Sequence, residues 1–99
     1  MPKLAANLST LFPQLDFLDR FAAAAQARFR YVEYQFPYRW QAAQIAARAR
    51  DAELEVVLHN FPPGDTQRGE RGIACLPGRE PEFRASVDRA LDYARILGC

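Results

Sequence analysis

The chain has 99 residues, 49% hydrophobic and 25% charged, which suits one small globular domain. Thirteen basic residues against twelve acidic ones leave a net charge of +1, without the basic surplus that phosphate-backbone binding needs, so no nucleic-acid partner is expected. Met1–Ser9 is too short and polar for a signal peptide, and no apolar run approaches the ~20 residues of a membrane span, so no membrane partner is expected either.

Glycine is absent before Gly64, as expected of regular elements joined by short turns. Lys3–Leu8 reads as a short strand. Asp16–Phe29 reads as a helix, with Asp16 as N-cap and Asp19 adding negative charge to the first turn. Phe17, Phe21 and Ala24 form one apolar line along it, and Leu18, Ala22, Ala25 and Phe29 the next. Arg30–Phe36 is rich in aromatic and β-branched residues and reads as a second strand. Trp40–Ala52 is a second helix. Glu53–Phe61, with its continuous apolar middle, is a third strand of the kind buried on both faces. A last helix opens near Pro81, repeats apolar residues at spacings of three and four from Phe83 to Leu97, and ends at Gly98.

Strand–helix alternation at this spacing means parallel strands with right-handed crossovers, either a doubly wound sheet or part of a (β/α)₈ barrel. The turn after the first strand has no glycine, which weakens a nucleotide-binding reading. A barrel needs ~250 residues, so on that reading these 99 would supply three of its eight units, with a fourth strand expected next.

In parallel α/β proteins the chemistry gathers at the carboxyl ends of strands. Asn7 closes the first strand, Glu33 and Gln35 lie on the second, and His59 and Asn60 close the third. Glu33 reads either as a carboxylate paired with a cation inside the protein or as part of a site, because an unpaired buried charge is costly. His59 reads either as a core histidine bonded to a backbone carbonyl or as a group that exchanges protons with a substrate oxygen. The stretch His59–Glu80 carries four of the five glycines and is long for a βα connection, as binding loops and lids are. Within it Glu70 and Arg71 stand between glycines. Arg71 would clamp a substrate carboxylate, or else bond Glu70 or Asp65 at the surface. Arg28, Arg30, Arg48 and Arg50 read as solvated helix ends. Cys75 and Cys99 lack metal-type spacing, so a reduced, cytoplasmic setting and inert thiols are expected.

The segments "ANLSTLF", "VEYQFPY", "LHNFPPGD", "GERGIACLPGRE" and "EFRASVDRALDYARILGC" resemble the hydroxypyruvate isomerase family, together with the related 2-oxo-tetronate isomerases. The likeness covers the whole chain but only the N-terminal portion of a family member. It implies that residues 1–99 form part of a xylose-isomerase-like barrel domain: three βα units of a (β/α)₈ TIM barrel, with an incomplete parallel sheet. It also implies an aldose–ketose type isomerase that interconverts a small hydroxy-keto acid, such as hydroxypyruvate, with its aldehyde isomer through an enediolate. A divalent metal, magnesium or manganese, would serve the full-length enzyme, with none held by this portion. The family's catalytic glutamates and metal ligands come from later strands, so no catalytic or metal-binding residue is expected here. Asn7, Glu33, His59, Asn60, Glu70 and Arg71 are expected on the substrate side. Two positions depart from the family pattern. Arg28 stands where a glycine is usual, and Arg39–Trp40 replaces a more usual acidic–aromatic pair. The other reading is a non-catalytic partial barrel that self-associates, or binds a partner chain, through exposed sheet edges.

Overall fold

The structure is a computed structural model that describes all residues from Met1 to Cys99. Three strands, β1 (Ala5–Asn7), β2 (Tyr31–Glu33) and β3 (Glu55–Leu58), pair in parallel in the order β1-β2-β3. Their registers set Ala6 against Val32 and Val32 against Val56. Helices α1 (Arg20–Gln26), α2 (Ala42–Asp51) and α3 (Glu80–Leu97) follow the strands in turn. Each strand therefore feeds one helix, the arrangement read from the sequence.

All three helices lie against one face of the sheet. Ala6, Val32, Tyr34 and Val56 point into that layer, where Phe21, Ala24, Ile45 and Ala49 meet them and Tyr93 and Leu97 close over the edge. Phe17 joins this core by stacking on Trp40 at 4.3 Å and meeting Tyr34 edge-on at 5.3 Å. Arg20 ties the first loop down, its guanidinium donating to the Leu8 and Leu15 carbonyls at 2.7 and 2.9 Å.

The other sheet face has no covering layer, which corrects the expectation that the third strand is buried on both sides. Val56 is 3% exposed, but Val57 and Leu58 are 44% and 46% exposed. The register slips between Val32 and Glu33, so that Leu58 instead of Val57 stands opposite Glu33. This irregularity turns Leu58 away from the helices.

Helix α1 is shorter than its apolar pattern suggests. Phe17–Asp19 forms a 3-10 turn, and the Asp16 side chain makes no capping bond. At its far end α1 closes with a paired hydrogen-bond motif: Phe29 N–H donates to Ala24 O at 3.0 Å and Arg28 N–H to Ala25 O at 2.9 Å. Helices α2 and α3 end the same way, through Leu54 to Ala49 and Cys99 to Ala94. The motif needs a left-handed residue, and Arg28, Glu53 and Gly98 supply it with φ of 69°, 56° and 67°. Arg28 thus takes a left-handed conformation that glycine adopts at less cost.

Candidate functional site

The site residues fall into three places around the carboxyl ends of the strands. Asn7 and Glu33 are register partners on the uncovered sheet face. Asn7 donates from Nδ2 to Glu33 Oε1 at 3.4 Å, and its Oδ1 accepts from Ser9 N–H at 2.9 Å. Glu33 is half-buried and has no arginine or lysine partner. The paired-core reading of this carboxylate is therefore not what the structure shows.

A second place is a cleft of about 630 Å³ formed by the β3–α3 loop, where Asn60, Glu70 and Arg71 come together. Its apolar wall is Phe36, Phe61, Ile73 and Phe83. Asn60 is anchored through its backbone: its N–H donates to Gln35 O at 2.8 Å, and its carbonyl accepts from the Tyr38 hydroxyl. Its amide side chain is left to the cleft. Burial pushes the Tyr38 phenol up to about 12, so it remains a donor across the physiological range.

Arg71 makes no ion pair. Neither Glu70 nor Asp65 takes it, contrary to the surface-pair alternative. Glu70 belongs to Arg79, which grips both carboxylate oxygens, and Glu70 Oε1 also accepts from Asp65 N–H at 2.7 Å. The Arg79 hydrogen bonds hold the Glu70 carboxyl down to about 2. Arg79 further pairs with Glu82 at 2.8 Å, tying the loop to the first turn of α3. Asp65 caps the 3-10 turn Thr66–Arg68 by accepting from Gln67 and Arg68 N–H. Gly64, at φ +86°, lies so close under this knot that an added Cβ would be 2.6 Å from Glu70 Oε1 and 2.7 Å from Ile73. Glu70 therefore works as a loop tie, and Arg71 is the free charge that the tie presents.

The third place holds His59, which is not among the residues lining the cleft. Its Nε2 lies 3.1 Å from the Ala90 carbonyl on α3, which puts the ring proton on Nε2. Nδ1 is buried without a partner, as is the Tyr34 hydroxyl, whose pKa burial pushes above the ordinary tyrosine value. Of the two readings the sequence left open for His59, this geometry is the core histidine bonded to a carbonyl.

The sequence reading overlooked Arg79, although its spacing to Glu82 is the ordinary i, i+3 signal of a helical ion pair. It also overlooked Phe36, which lines the cleft from the end of the second strand's run. The divalent metal implied by the resemblance finds no fit here. No three His, Cys, Asp or Glu side chains gather into a group that could hold an ion. Asn7 and Glu33 alone fall short of the six oxygens such ions take.

The class of protein is set by this frame: three parallel βα units of a (β/α)₈ barrel, with polar groups at the strand ends. A solved structure described as AP endonuclease, family 2 from Brucella melitensis superposes with a TM-score of 0.98 at 52% identity, covering 100% of this chain and 38% of that one. No family model matches the chain. Among curated proteins, the 2-oxo-tetronate isomerase of Cupriavidus necator and the hydroxypyruvate isomerase of Escherichia coli are each 52% identical over 98 residues. A putative hydroxypyruvate isomerase of Homo sapiens is 44% identical over 98 residues. Within the barrel class, the chain thus corresponds to an N-terminal portion of the hydroxypyruvate and 2-oxo-tetronate isomerases, spanning 38% of the length of the first two.

Proposed function

We propose that the chain furnishes the substrate-lining wall of an isomerase acting on a small hydroxy-keto acid, hydroxypyruvate or a 2-oxo-tetronate, and does not itself carry the groups that make and break the C–H bond. The observation that carries this reading is Arg71. It is an unpaired guanidinium set on a glycine-flanked loop, beside the free Asn60 amide, in a cleft with an apolar wall. A guanidinium so placed binds a carboxylate through two parallel N–H donors. The Asn60 amide offers a donor and an acceptor to hydroxyl or carbonyl oxygens. The Asn7–Glu33 pair offers the same at the sheet face, near the axis of a closed barrel. Any divalent metal of the complete enzyme would draw its ligands from later strands, and no step is assigned to it. The protein is read as a metabolic enzyme portion of the cytoplasm, and no helix is long and apolar enough to cross a membrane.

The test is to add hydroxypyruvate to the purified chain and follow tartronate semialdehyde by proton NMR. No turnover is expected. Sustained turnover would place the proton-transferring groups within these 99 residues and overturn the reading.

A second reading comes from the endonuclease description of the 52%-identical structure. The charge balance of thirteen basic to twelve acidic residues speaks against it, because DNA binding draws on a basic surplus. Salt-dependent binding of an abasic-site duplex would favour the second reading over the first.

A further inference from the structure

Beside the Arg71 cleft lies another, of about 480 Å³, which shares Phe36, Pro62, Pro63 and Thr66 with it. Two arginines, Arg39 and Arg89, are among its lining residues, and no acidic residue is. Arg39 has no salt-bridge partner. Arg89 is held in place by the protein: it donates from Nη2 to Tyr38 O at 3.0 Å, and its guanidinium lies 5.0 Å from the Tyr38 ring centre. That contact uses one of its two terminal nitrogens and leaves the rest of the fork for a ligand. The acids on the adjoining loop are already committed, Glu70 to Arg79 and Asp65 to the 3-10 turn. Part of the remaining wall is aromatic, from Phe36, Tyr38 and Trp40. Such a wall displaces water from one side of an anion and strengthens its hydrogen bonds to the cations.

We propose that Arg39 and Arg89 form an anion subsite that takes the phosphate group of a small molecule. Two cations with a cavity between them and no balancing acid suit a doubly charged oxyanion. Planar guanidinium forks match phosphate oxygens in pairs. The Thr66 hydroxyl at the shared wall can add a neutral donor. This subsite does not rest on the isomerase reading, since it involves neither Arg71 nor any chemistry on the ligand.

Trp40, the chain's one tryptophan, lines the subsite and reports on it. Its fluorescence is titrated in the 99-residue chain with inorganic phosphate and with glycerol phosphate, at ionic strength held constant with sodium chloride. A saturable change with either anion, absent with chloride alone, is expected. The tighter of the two identifies free phosphate or a phosphomonoester as the source. Arg39→Gln removes an exposed side chain with no internal bond and should leave the fold intact while weakening binding about tenfold or more. Arg89→Gln should weaken binding similarly and loosen Tyr38. Arg50→Gln, on the exposed face of α2, should bind as the parent does. The proposal falls if no saturable response appears, if Arg39→Gln binds like the parent, or if Arg50→Gln weakens binding as much as Arg39→Gln.

Discussion

Replacing Arg28 by glycine should stabilise the chain, and the size of the gain can be worked from the backbone. Arg28 sits at φ 69°, in the left-handed region, and its side chain is exposed and unpaired. An L-residue there costs about 1–2 kcal/mol, because Cβ crowds the following carbonyl. Glycine escapes that cost but gives back about 0.5–1 kcal/mol through the greater freedom of the unfolded chain. A further few tenths, of order 0.3 kcal/mol, go with the loss of a cation at a helix C-terminus. The net expectation for Arg28→Gly is a gain of about 0.5 kcal/mol. Arg28→Ala isolates the backbone effect: it loses the same cation and keeps the strain, so it should be less stable than the glycine variant by about 1 kcal/mol. Urea unfolding followed by far-ultraviolet circular dichroism reads the difference as a midpoint shift of about 0.5 M at the slopes usual for small proteins. Gly98 closes α3 with the same hydrogen bonds at φ 67°, so Gly98→Ala should lose stability where Arg28→Gly gains it. An alanine variant at position 28 as stable as the glycine variant would refute the reasoning.

Gly64→Ala should destabilise the β3–α3 loop by about 2 kcal/mol, since it adds both left-handed strain and a collision with a carboxylate already fixed by two partners. Faster cleavage within Pro62–Gly78 by a dilute protease would show it. Tyr34→Phe removes a buried hydroxyl that has no partner, and should leave stability unchanged or raise it by about 1 kcal/mol on thermal melting. The Glu70 carboxyl is held below its ordinary value, so its bond to Arg79 is intact above about 4.5 and is lost as pH falls through about 2. The amide of Asp65, which donates to Glu70, should titrate by NMR with a midpoint near 2, and Arg79→Gln should move that midpoint upward. Tyr38 is raised and neutral when folded, so its contribution is whole below the ordinary tyrosine value near 10 and is lost as pH rises through about 12. The melting temperature should decline across that window.

The order of strands and helices was legible because each unit shows its own period, apolar runs for the strands and apolar residues three and four apart for the helices. Lengths were overstated at every strand; in the second, the aromatic residues Tyr34 and Phe36 lie past the strand's end at Glu33 and read as its continuation. Strand β3 misled further: Val56-Val57-Leu58 reads alike whether a layer covers one sheet face or both. The glycine-rich loop stood out through its turn residues, and Asn60, Glu70 and Arg71 do line one cleft. The pairing of Glu70 with Arg79 was not readable, because it depends on how the irregular chain between them, residues 71–78, brings together two positions nine apart. His59 was equally undecided, its partner being a backbone carbonyl 31 positions away that leaves no mark in the sequence.

Joining this chain to the remainder of the Cupriavidus necator 2-oxo-tetronate isomerase, in place of the 98 residues it matches there, asks most directly whether it is an isomerase wall. The chimera should isomerise its substrate, and Arg71→Ala within it should raise KM by about tenfold or more while leaving kcat far less affected. A folded chimera without turnover, or one indifferent to the loss of Arg71, would contradict the assignment.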